Sequence, residues 1–219
     1  MLNVVVVVTE VEVSTLASFA AATALLALSP GPDNIFVISQ SLTNGIKSGM
    51  AIVCGLISGC LVHTTLLAFG VSEIIKHSES LFWTIKIFGI LYLLYLAFKV
   101  WKSDGAIVLS DAESQPARSL LSLFKTGFIM NVLNQKVTIF FLAFFPGFLF
   151  SQTYGTVFQF YVLGLLFMAI SFTVFSMLAL LAGYLSNLLL RNIATGQYLK
   201  ALQIITFLGI ALYLALSGK

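Results

Sequence analysis

Two short polar clusters interrupt long apolar runs: Ser29-Pro30-Gly31-Pro32-Asp33-Asn34 and Asn131-Val132-Leu133-Asn134-Gln135-Lys136. Their chemistry is that of binding rather than of bond breaking. A carboxylate at bilayer depth costs at least about 2.5–3.5 kcal/mol on insertion scales, so Asp33 must face protein or water, where it can hold a proton or an ammonium group. Lys136 is under the same constraint and suits a carboxylate. Pro30 and Pro32 remove backbone donors and clash with the preceding turn, so a helix should stop near Leu28 and restart near Asp33. In the second cluster Asn131, Asn134 and Gln135 compete for backbone hydrogen bonds. A half-helix restarting at Asp33 or Asn134 aims its N–H groups and positive dipole end at whatever sits in the break.

The elements that hold these clusters are membrane spans. Of 219 residues, 59% are hydrophobic and 9% charged, against about 25% charged in a soluble domain. That excludes an ordinary soluble domain, and a scattered formal charge of +3 excludes a nucleic-acid surface. The spacing of charges delimits six apolar spans, near 14–41, 49–72, 81–101, 120–150, 156–190 and 199–216, the fifth shorter than its apolar run. A fourth span starting only after Lys136 would cover about 21 Å, short of the roughly 30 Å hydrocarbon core. The polar stretch 102–119, KSDGAIVLSDAESQPARS, has the composition of a loop. It links a first three-helix unit, 14–101, to a second, 120–217, with 1–13 as a tail. Three spans per half is an odd number, so the second half enters the membrane upside down. The expected fold is an all-α integral membrane protein, one polytopic domain of six transmembrane helices in a 3+3 inverted repeat, the first helix of each half interrupted. Both clusters then occupy corresponding positions, where transporters of this build place their sites. Along straight helices Asp33 lies about 12 Å and Lys136 about 24 Å from the cytoplasmic end, which leaves a direct pair between them unsupported.

The positive-inside rule puts Lys47, Lys99, Lys102, Arg118, Lys125, Arg191 and Lys200 in the cytoplasm, opposite Lys76, Lys86 and Lys219, with both termini outside. Cys54 and Cys60 share one helix at about 9 Å separation, beyond the roughly 7 Å limit of a disulfide. The only histidines, His63 and His77, belong to no metal-binding pattern, so neither metal nor cofactor is expected. Ser58 and His63 diverge by about 500° of rotation on one helix, so no nucleophile and base pair arises, and no enzyme is expected. No Walker motif points to an ATP-driven pump. His63 has two readings, a proton relay beside Asp33 or a hydrogen-bonded packing residue. Gly45, Gly49, Gly55 and Gly59 form small-xxx-small pairs that favour close helix packing, with a homo-oligomer interface left open. The opening MLNVVVVVTEVEV fits neither a signal peptide nor a span.

The segments LSPGPDNIFVISQSLTNGIKSG, GLISGCLVHTTLLAFGVS, KIFGILYLLYLAFKVWKS and FKTGFIMNVLNQKVTIFFLAFFPGF, in that order, resemble those of the LysE/RhtB amino-acid exporters from about Phe19 to Leu216. The resemblance implies export of amino acids and related metabolites across the bacterial cytoplasmic membrane, driven by protons or exchange. By motif position Pro30, Gly31, Pro32 and Asp33 match the first signature, and Asn134 and Lys136 the second. Gln135 stands where the family usually has proline. The expected function is that of a secondary transporter exporting a small amino acid by proton antiport, with Asp33 coupling protons and Lys136 anchoring the substrate carboxylate. The partners are substrate, protons and lipid. Export of another small solute or a cation, and a non-transporting membrane chaperone or interaction subunit, are the competing readings.

Overall fold

In a bilayer every backbone polar group must find its partner within the protein, a condition helices meet segment by segment. A computed structural model describes residues 12–29, 31–71, 79–102, 118–184 and 193–216, and among them it is helical with no strand. Helix α1 (Val13–Leu28) is followed by α2 (Pro32–Asn44) and α3 (Ile46–Leu66), which runs on through a π turn, Leu67–Val71. Then come α4 (Glu79–Lys102), α5 (Leu120–Val132), α6 (Gln135–Phe144) with a 3-10 turn at Phe145–Phe148, α7 (Thr156–Tyr184) and α8 (Ile193–Leu216). The expected features of Pro30, of the tail up to residue 11 and of linker residues 103–117 lie outside the described residues.

Among the described residues three helices are long and apolar enough to cross a membrane: Ile46–Val71, Trp83–Lys102 and Thr156–Tyr184. The pairs α1–α2 and α5–α6 reach that length only together, bent by 60° and 49° at their breaks, which raises the number to five. In α8 the stretch Ile204–Tyr213 is apolar but shorter. The chain is a multi-pass, all-helical membrane protein.

Lipid is as apolar as leucine, so helices associate here through close packing rather than through escape from water. At the crossing of α3 and α5, Gly55 lies against the Phe124 carbonyl and the Phe128 N–H, and Gly127 lies against the Ile52 carbonyl, with no room for a Cβ. Gly59 continues the seam, where a Cβ would come within 2.7 Å of Asn131 Oδ1. Gly49 packs on Ser41 and Ala179, while Gly45 turns the chain between α2 and α3 at a φ of 82°. The small-residue pattern therefore serves packing within the chain.

A phenylalanine cluster fastens α6 to α1. The Phe19 ring meets Phe145 edge-on at 5.0 Å and Phe148 at 5.4 Å, while Phe140 stacks on Phe144 at 4.3 Å and Phe141 on Phe145 at 4.1 Å. These offset and edge contacts suit the ring quadrupoles. The turn between α6 and α7 is held by one amide: Gln159 Oε1 accepts from Phe150 N and Ser151 N, and its Nε2 donates to the Ser151 and Tyr154 carbonyls.

Candidate functional site

The first break forms where expected. Helix α1 ends at Leu28, Gly31 is extended, and Pro32 opens α2 at a position where its missing N–H costs nothing. The stop leaves carbonyls of the last turn of α1 without helical partners. Asn34 Nδ2 donates to the Ala27 carbonyl at 2.7 Å. Lys136 Nζ, arriving from α6, donates to the carbonyls of Leu26 at 3.3 Å and Ser29 at 3.1 Å. A cation at the negative end of a helix is favourably placed.

The second break forms without its proline. After Leu133 the chain turns, and Asn134 adopts an extended conformation in which its side-chain oxygen caps the Lys136 N–H at 3.0 Å. The Asn131 carbonyl, released by the break, accepts from Asn134 N and lies 3.0 Å from His63 Nε2 on α3. A carbonyl only accepts, so His63 carries its proton on Nε2 in this contact. The His63 ring also packs on Phe141.

The two breaks meet. Asn134 Nδ2 donates to Asp33 Oδ2 at 2.7 Å, joining residues 101 positions apart in sequence. Lys136 directs its hydrogen bonds to the carbonyls of the first break instead of to Asp33. Straight-helix distances do not apply to two helices that both bend at this level. Asp33 is 6% exposed, and its Oδ1 has no hydrogen-bond partner among the described residues.

A cavity of about 30 Å³ opens between the breaks, lined by Gly31, Pro32, Asp33, Asn34, Asn131, Asn134 and Lys136. It has space for a water or two but not for an amino acid. Its other walls come from residues that the sequence reading placed in no site: Leu26 and Ala27 of α1, Cys60 of α3, Val137 of α6, and Phe167, Ser171 and Phe175 of α7. A wider cavity of about 380 Å³ shares Pro32, Asp33, Asn134 and Lys136 with the first and adds Tyr92, Met130, Leu133 and Gln135. The shared residues therefore stand between an open vestibule and a small inner chamber. Of the residues singled out in sequence, Pro30 lies outside the described set, and His63 touches the site only through the Asn131 carbonyl. The remaining eight line one cavity or both. Among the described residues no cluster of His, Cys, Asp and Glu could hold a metal ion.

Residues 24–218 match the family model described as LysE type translocator. The chain belongs to the LysE-type translocator family. Its membership sets it among transporters rather than enzymes. The homoserine/homoserine lactone efflux protein of Salmonella typhimurium is 32% identical over 128 residues, which is 58% of this chain and 61% of that protein. The protein of the same description from Salmonella typhi matches to the same extent. The matched segment thus spans about three-fifths of these curated relatives. No solved structure matches the chain.

Proposed function

We propose that the chain is a secondary transporter that exports a small amino acid or derivative across the bacterial cytoplasmic membrane by proton antiport. The observation that carries this reading is the buried Asp33 carboxylate. One of its oxygens is tied to the opposite break and the other is unpartnered beside a cavity. Such a group releases a proton only when water or a cation replaces it, which is the requirement for exchange. Lys136 has two of its three N–H groups on carbonyls and lies 5.6 Å from the centre of the Phe207 ring; a substrate carboxylate would compete with that ring for the third N–H. His63, hydrogen-bonded to the Asn131 carbonyl at the second break, is the candidate relay beside Asp33. The relatives' description points to homoserine as the first substrate to try.

The architecture belongs to the same proposal: six spans in two inverted halves, 14–101 and 120–217, with α8 as the sixth. Several packing relations support it. A two-fold axis in the membrane plane exchanges the third spans of the two halves, α4 and α8, and these two pack on each other. It also relates α3 on α5 to α7 on α1, and both of these pairs are in contact.

The test is uptake of labelled homoserine and other amino acids into inside-out vesicles, with and without an imposed pH gradient. Gradient-dependent accumulation is expected for the parent and should disappear in Asp33→Asn inserted at equal level. Equal gradient-driven flux in Asp33→Asn would remove the coupling role. Failure of the parent to accumulate any amino acid would remove the exporter reading.

A further inference from the structure

The inner chamber has an unused set of hydrogen-bond acceptors. Asp33 Oδ1, Asn131 Oδ1 and Ser171 Oγ each line it from a residue no more than 6% exposed, and each lacks a hydrogen-bond partner among the described residues. Ser171 is the informative member. Many helical hydroxyls in this protein bond to the carbonyl four residues back, as Ser48, Ser58, Thr64, Thr126, Thr138 and Thr173 do, whereas those of Thr23, Ser41, Ser171 and Ser176 find no partner among the described residues; of these four, only Ser171 lines the chamber. Ser171 is 1% exposed and makes no such bond. A buried polar atom without a partner costs free energy and calls for one, here either a water or a group of a ligand that displaces it. The chamber's remaining walls combine the apolar Leu26, Val137, Phe167 and Phe175 with Asn34, Asn134 and Lys136, whose side-chain donors are engaged by the Ala27 carbonyl, by Asp33 Oδ2 and by the Leu26 and Ser29 carbonyls. A carboxylate beside further acceptors in such a wall is matched by a group rich in donors and positive in charge. An ammonium has three N–H donors and no acceptor.

We propose that Ser171 contacts the substrate, forming with Asp33 and Asn131 a subsite for the ammonium group of the transported amino acid. This rests on the exporter reading and adds to it a residue from α7, the long helix of the second half. The chamber is too small for a whole amino acid, so it takes the ammonium end while the remainder extends toward the vestibule past Asp33 and Asn134. Asp33 then holds either a proton or the substrate ammonium, and the two exclude each other.

The test is calorimetric binding to the purified, lipid-reconstituted protein, with L-homoserine, N-acetyl-L-homoserine and methylammonium as probes, alongside thermal melting without ligand. The parent should bind homoserine more tightly than its N-acetyl derivative. Ser171→Ala should weaken homoserine about tenfold, the worth of one hydrogen bond to a charged group. The same variant should leave N-acetylhomoserine unchanged and melt no lower than the parent, because it removes an unsatisfied buried hydroxyl. Ser171→Thr should retain most of the affinity. Equal homoserine binding by Ser171→Ala and parent would overturn the subsite, with vesicle accumulation deciding separately whether the exporter reading stands. Lower melting with both homoserine forms weakened alike would also overturn it, by giving Ser171 a structural role. A parent that accumulates homoserine but binds methylammonium no differently after Ser171→Ala and Asp33→Asn would overturn it as well.

Discussion

Lys136 closes the end of α1 with two hydrogen bonds, so its removal should be felt even when nothing is being transported. Lys136→Met frees the Leu26 and Ser29 carbonyls in an apolar setting, at a cost of roughly 3 kcal/mol. The expected result is a lower melting temperature for the empty protein, with Lys136→Arg intermediate; unchanged melting of Lys136→Met would show that these contacts carry no stability. Asn134 offers a second check. In a Cys54→Ala background the buried Cys60 should react slowly with a maleimide, and Asn134→Ala should raise the rate severalfold by releasing Asp33. The carboxylate, the ammonium and the amides were legible in sequence because a membrane penalises them wherever they lie. Ser171 was not. A serine in an apolar helix is ordinary, and its distinguishing mark, an unpartnered hydroxyl in the wall of the chamber, exists only in three dimensions.

Each helix break has its own cause, and this is where sequence and structure can be compared most closely. The first was legible from Pro32, a residue that opens helices and cannot continue them. The second lacks that residue, yet Asn134 does the same work by capping the Lys136 N–H with its side chain. Contact between the breaks was not legible, because axial distances along straight helices omit bends of 60° and 49°. The turn between α6 and α7 also escaped notice, since Gln159 reads as a lone polar residue until its amide is seen to make four hydrogen bonds. Gln159→Leu should leave those backbone groups unmet. Faster proteolysis around 151–154 and a lower melting temperature are expected, and resistance equal to the parent would deny the clamp. Gly55 was read correctly as a packing residue. Gly55→Ala sets a Cβ against the Phe124 carbonyl, and overpacking of this kind costs about 1–3 kcal/mol. Its folded yield in detergent should fall well below that of an alanine placed at Gly70, where nothing lies within 4 Å.

For the molecule as a whole, hydropathy made the membrane and the helical class plain, while the sixth span and the inverted halves rest on packing relations and a charge rule. Their check is topological. With the native cysteines replaced, a cysteine at Ser217 should react with a membrane-impermeant maleimide in intact cells, and one at Ser103 only after permeabilisation. Labelling of both from the same side would overturn the six-span arrangement. The bond between Asp33 and Asn134 has a further consequence for how the protein is made. Synthesis delivers the first half to the bilayer while its partner is still a hundred residues away, so the nascent chain carries a buried acid that nothing yet satisfies. Only when Asn134 is translated and inserted does that acid gain its donor. The expected outcome is that a chain truncated at residue 119 is cleared by membrane quality control and that co-expression of 120–219 as a separate fragment protects it; equal survival of the truncated chain alone would show that its acid needs no such donor.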